Sequence, residues 1–91
     1  MKFRSYDSLK TFHAVARSQS MTVAAHDLNL SKGSISYQIK MLEIDLGFSL
    51  FERNNARLQL TERGRRMWNV SQNALGQIDQ EIEDIRGAQS N

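Results

Sequence analysis

Residues 31–47 read Ser-Lys-Gly-Ser-Ile-Ser-Tyr-Gln-Ile-Lys-Met-Leu-Glu-Ile-Asp-Leu-Gly, and they decide the fold. Ser31 suits an N-cap, because its hydroxyl can accept a free N–H of the first turn. Gly47 suits the stop, since glycine enters the left-handed conformation that closes a helix without steric cost. Between them Ile35, Ile39, Leu42 and Leu46 recur at intervals of 4, 3 and 4. At about 100° per residue these four form one narrow apolar stripe. Lys32, Gly33, Ser36, Tyr37 and Lys40 fall on another face, centred roughly 120° away. That face holds two cations, hydroxyls and a residue without a side chain, and no carboxylate. Glu43 lies between the two faces and Asp45 on the far side. A buried stripe beside a carboxylate-free polar strip suits a helix laid against a polyanion. A solvated helix face would read the same way, so the neighbouring segments must decide.

Working towards the N-terminus, Ser20 is expected to cap a short helix over 21–28. Its Ala24 and Ala25 would let a second helix approach closely. Asn29 tolerates the left-handed conformation and can turn the chain sharply into Leu30 and Ser31. Two helices joined by so short a turn make a helix-turn-helix, although a plain helical hairpin in a bundle has the same outline. Before it, residues 6–17 read as a helix capped by Ser5, with Asp7 in its first turn and Leu9, Phe12, Val15 and Ala16 at helical spacing. His13 lies off that stripe, and His26 is the only other histidine, so neither is expected to bind metal or catalyse.

Towards the C-terminus, Leu50-Phe51-Glu52-Arg53 and Arg57-Leu58-Gln59-Leu60 flank Asn54-Asn55-Ala56. The alternation and the turn-forming asparagines predict a β-hairpin with Arg53 and Arg57 bracketing its tip. A lone hairpin is marginal in water, so it must pack on the helices, as the wing of a helix-turn-helix does. Thr61 then caps a last long helix. Arg63, Arg65 and Arg66 stand in its first turns, where the dipole disfavours cations and a phosphate backbone would favour them. Beyond them Trp68, Ser71, Leu75, Ile78, Ile82 and Ile85 recur at 3, 4, 3, 4 and 3, a heptad seam. A helix over 61–87 would run about 40 Å, longer than so small a domain can cover. Trp68 could instead close the globular core. The remaining seam residues predict a dimer.

Composition bounds the alternatives. The chain has 91 residues, one domain with an appendage, and its modest core would benefit from a partner subunit. It contains no proline to break long helices, and no cysteine for disulfides or thiolate-bound zinc. No apolar run approaches the ~18 residues of a membrane helix, and Met1–Asp7 lacks the apolar region of a signal peptide. A soluble, cytoplasmic protein without membrane partners is expected. The formal charge of +2 hides a gradient: +5 over residues 1–66 and −3 over residues 67–91. One end therefore suits an anionic partner and the other does not. An enzyme is disfavoured, because there is no paired-carboxylate site with a nearby histidine and no phosphate-cradling glycine loop. No cofactor is expected.

Several stretches resemble the N-terminal domain of LysR-type bacterial transcriptional regulators. They are Ser20 to Leu28, Ser36 to Glu43, Leu46-Gly47, Leu50 to Arg53 and Leu60 to Gly64. The resemblance covers about residue 6 to the end, with the motifs in order and at matching intervals. It implies a mainly α fold: a winged helix-turn-helix of three helices and a β-hairpin over residues 1–60, then a linker helix for dimerisation over 61–91. It implies double-stranded DNA as partner and a homodimer through the linker helix, with higher oligomers open to a full-length protein. A small-molecule effector is implied only through a C-terminal domain absent from this chain. By motif position, the resemblance puts DNA contacts at Lys32, Gly33, Ser36, Tyr37 and Lys40, with Arg53 near the wing. Dimerisation is expected of Trp68, Leu75, Ile78, Ile82 and Ile85. Lys32 stands where relatives often have glutamine, Tyr37 where they often have arginine, and Ala56 at a wing-tip position that is frequently basic. The base sequence read and the wing's grip on the minor groove depend on those three. The rival from another class is a helical dimerisation module whose basic face is merely solvated.

Overall fold

The computed structural model describes residues 6–89 and contains four helices and one hairpin. They are α1 (Tyr6–Ser18), α2 (Met21–Leu28), α3 (Lys32–Leu46), β1 (Phe51–Asn54), β2 (Arg57–Leu60) and α4 (Glu62–Gln89). This is the winged helix-turn-helix with a long following helix that the sequence predicts. The cap proposed at Ser5 lies outside the described residues.

Local chemistry sets the boundaries. The Ser20 hydroxyl accepts from the Val23 N–H at 3.1 Å, and the Ser31 hydroxyl accepts from the Ser34 N–H at 3.0 Å. Asn29 closes α2 in the left-handed region at φ 58°, and Gly47 closes α3 at φ 82°. Gln19, at φ 55°, makes the equivalent turn after α1, which the residue type alone does not announce.

The three helices enclose a core of Phe12, Val15, Ala24, Ile35, Leu42 and Leu50, each no more than 2% exposed. Alanines at 24 and 25 bring α2 close to its neighbours, as expected of small residues at a helix contact. One polar link crosses the apolar contact. The buried Thr11 hydroxyl donates to Gln38 Oε1, tying α1 to α3.

The wing is a two-residue hairpin. β1 and β2 pair antiparallel with Phe51 opposite Leu60 and Asn54 opposite Arg57. Asn55 and Ala56 form the tip at φ 54° and 63°, the doubly left-handed geometry whose twist matches that of paired strands. Ala56 there carries a Cβ where glycine is usual. The Glu43 carboxylate accepts from the Leu50 and Phe51 N–H groups at 2.6 and 3.2 Å, so α3 itself anchors the start of the wing.

The wing then hands the chain to α4. Thr61 accepts from the Gly64 N–H at 2.9 Å, capping α4, while its hydroxyl donates to the Ser49 carbonyl at 2.6 Å. Gly64 crosses the backbone of Leu50 so closely that a Cβ would stand 2.1 Å from the Leu50 carbonyl oxygen. Only glycine permits that approach. Trp68 and Ser71 follow against α1. From residue 72 to residue 88 every residue of α4 is exposed.

Candidate nucleic-acid interface

α3 is fixed from one side by its apolar stripe, where Ile35, Ile39 and Leu42 are 0–3% exposed. That burial aims the polar strip outward. Lys32, Gly33, Ser36, Tyr37 and Lys40 are all exposed, Tyr37 by 66%. The helix is therefore held by one face and free along another, as a helix entering a groove must be.

The wing brings further cations to the same region. Lys32, Arg53 and Arg57 border one cleft of about 380 Å³ between the wing and the start of α2. Its other wall holds Ser20 and Thr22. An adjoining groove of about 330 Å³ runs between α3 and β1, lined by Ser36, Lys40, Glu52 and Arg53 among others. Arg53 thus belongs to both. Among the described residues, Lys32, Lys40, Arg53 and Arg57 form no ion pair within 4.0 Å. Four cations without internal partners can neutralise an external anion at no cost in broken salt bridges.

Thr22 lines the first cleft although neither spacing nor charge marks it in the sequence. It stands in the first turn of α2, where backbone N–H groups lack helical partners and favour anions. The available signal was its hydroxyl two residues after the Ser20 cap. Gly33 and Tyr37 do not line the two clefts and stand on the open side of the strip. Met41 and Ile44 continue that side at 39% and 62% exposure.

Two of the arginines that open α4 have partners within the chain. The Arg63 guanidinium lies 5.9 Å from the centre of the Phe48 ring, and Arg65 Nη1 donates to the Leu60 carbonyl at 3.2 Å. Arg66 borders an apolar hollow with Phe48, Met67 and Val70. A phosphate is therefore not required to explain Arg63 and Arg65.

The seam residues divide into two groups. Trp68 is half-buried in its own chain, 6.4 Å from Phe12 and 4.8 Å from His13 between ring centroids. Leu75, Ile78, Ile82 and Ile85 are 41–55% exposed, and no other element among the described residues covers them. His13 sits between α1 and α4, where burial first and the nearby Arg17 second hold its imidazole below the usual histidine range. Among the described residues no cluster of histidine and carboxylates could hold a metal ion. No helix among the described residues is long and apolar enough to cross a membrane.

Comparison with known proteins agrees with this arrangement. Residues 6–65 match the family model described as bacterial regulatory helix-turn-helix protein, lysR family. The HTH-type transcriptional regulator PtxR of Pseudomonas aeruginosa is 43% identical over 81 residues, which cover 89% of this chain and 26% of that protein. The HTH-type transcriptional regulator DsdC of Escherichia coli is 38% identical over 78 residues, 86% of this chain and 25% of that protein. The chain thus spans about a quarter of the length of these curated relatives, which are named as regulators and not as enzymes. Among solved structures, the BenM DNA-binding domain bound to the benA site 1 DNA superposes with a TM-score of 0.79 at 30% identity. That match covers 93% of this chain and 96% of the other. The CbnR DNA-binding domain in complex with DNA gives 0.75 at 32% identity, covering 93% and 98%. With the capped helix-turn-helix, the wing and the long α4 all in place, the chain belongs to the LysR family of bacterial regulatory helix-turn-helix proteins and carries its DNA-binding domain.

Proposed function

We propose that this chain binds double-stranded DNA sequence-specifically as a homodimer and works in the cytoplasm as the DNA-reading end of a transcriptional regulator. The observation that carries the reading is the set of unpaired cations, Lys32, Lys40, Arg53 and Arg57, gathered beside the exposed strip of a helix locked from behind. In this reading α3 enters the major groove. Lys32 donates to guanine acceptors, Tyr37 reaches a base edge, and Gly33 permits close approach to the backbone or a thymine methyl. Ser36 lies on the same groove-facing strip. Lys40, Arg53 and Arg57 grip phosphates and fix register. Residues 1–60 form the DNA-binding unit and 61–91 the linker, whose Leu75, Ile78, Ile82 and Ile85 pair with a second copy. Trp68 serves this pairing from behind, by fixing where α4 leaves the domain. Effector sensing is assigned to the part of the relatives that this chain does not span.

The test is selection of bound duplexes from a random pool, followed by a salt titration on the selected site. A dimer displacing about eight counterions gives log K falling against log salt with a slope near −7. A slope near zero, or no selected sequence, overturns the reading.

A further inference from the structure

The junction between α1 and α4 contains a polar tie that DNA contact does not use. His13 Nε2 and the Ser71 hydroxyl lie within hydrogen-bonding distance across 58 positions of sequence. Ser71 is 7% exposed, and its hydroxyl also donates to the Trp68 carbonyl at 3.1 Å. With that proton committed, Ser71 Oγ accepts from His13, which assigns the imidazole hydrogen to Nε2. The His13 ring also lies over Trp68, tilted by 40°, and Trp68 meets Phe12 edge-on at 77°.

Two features make this tie more than packing. Ser71 is the last buried residue of α4, so it is the point from which the rest of the helix projects. The ring contacts around it are apolar and tolerate sliding, whereas a hydrogen bond weakens steeply as its angle departs from linear. At ~1.5 Å per residue, Ile85 lies about 21 Å beyond Ser71. A swing of about 10° would move it by ~4 Å, comparable to the ~3.4 Å rise of one base pair. In a symmetric dimer both arms contribute the same error.

We propose that His13 and Ser71 are positioning residues that set the spacing between the two half-sites a dimer accepts, by fixing the angle at which α4 leaves the winged domain. The proposal rests on the reading of the chain as a DNA-binding dimer. Neither residue lies on the cation-lined clefts, so their effect is on geometry and not on the grip of a single half-site.

Ser71→Ala removes the acceptor with little change in volume. His13→Phe removes the donor and keeps an aromatic ring against Trp68. Duplexes carrying two copies of the selected half-site, separated by spacers lengthened one base pair at a time, give the spacing profile. Both variants are expected to lose discrimination between the best spacer and its neighbours by about 3–10-fold, the range of one neutral hydrogen bond. Affinity for a single half-site stays within about twofold of wild type. Spin labels on Lys10→Cys and Gln77→Cys, in a chain with no cysteine of its own and diluted with unlabelled protein, report the α4 angle without DNA. Their distance distribution is expected to broaden in both variants. A spacing profile as sharp as wild type overturns the proposal, as does a distribution of unchanged width. A wild-type protein that binds none of the duplexes overturns the DNA reading instead, and the label distances still decide whether the tie holds the angle.

Discussion

α3 and α4 carry apolar stripes written in the same code, with intervals of three and four residues. On α3 the stripe of Ile35, Ile39 and Leu42 is 0–3% exposed; on α4 Leu75, Ile78, Ile82 and Ile85 are 41–55% exposed. The periodicity is alike, and the difference is the supply of neighbours. α1, α2 and the wing surround α3, whereas past Ser71 nothing else in the described chain reaches α4. A covered stripe aims the opposite face at a partner. An uncovered one is itself the surface offered to a partner.

The sharpest way to break that comparison is to place a charge on the uncovered stripe. Ile78→Asp is expected to abolish self-association and leave the winged domain folded. Each protomer would contribute one desolvated carboxylate, at several kcal/mol apiece. Sedimentation and circular dichroism read the two halves of this prediction. A persisting dimer would move the interface away from α4.

A truncation on the covered stripe should act on folding instead. Leu42→Ala is expected to cost about 2–5 kcal/mol of domain stability, because Leu42 is 2% exposed and its neighbours cannot collapse fully into the space. Ile82→Ala, at 41% exposure, should cost the folded domain much less and weaken dimerisation. Denaturant melts at concentrations below and above dimer formation separate the two. Equal losses at both positions would contradict the division drawn here.

The exposed face of α3 can be divided further. Tyr37→Ala is expected to weaken the selected site by ~1–3 kcal/mol and a scrambled duplex much less, since base edges are read from the start of such a helix. Lys40→Ala should weaken both alike and reduce the salt slope by about one. Equal losses on the two duplexes for Tyr37→Ala would remove that residue from base readout.

The smallest expected effect lies at the junction of the two helices. Burial lowers the His13 pKa in the folded chain, so the unfolded chain takes up the proton more readily. Both states are neutral at this site well above pH 6.5. Stability should therefore fall as pH drops below about 6.5, until the folded-state pKa is passed. His13→Phe should flatten the melting temperature between pH 7 and pH 5.5. An equally steep decline in the variant would assign it to other groups.

What could be read from the sequence is what acts over three or four residues. Ser20, Ser31, Asn29, Gly47 and the turn-forming Asn55 set their elements through caps and backbone preferences that need nothing distant, whereas Asn54 pairs within β1 and the left-handed Ala56 runs against its residue type. The spacing of Ile35, Ile39 and Leu42 likewise established which face of α3 turns inward and so which residues face out. Tertiary structure alone decided where that helix is anchored and how α4 leaves it. Glu43 lay between the two faces of a wheel, and only the return of the chain at Leu50 and Phe51 gives its carboxylate two N–H groups to accept. Trp68 belonged to the seam by spacing, yet Phe12 and His13 draw it into the core. Arg63 and Arg65 read as cations awaiting phosphate until Phe48 and the Leu60 carbonyl came within reach. Gly64 matched a motif without a reason, which is the Leu50 carbonyl 2.1 Å from where a Cβ would stand. Capping and periodicity are properties of a single helix, but which helices cross, and at what distance, depends on how all the stripes are buried at once.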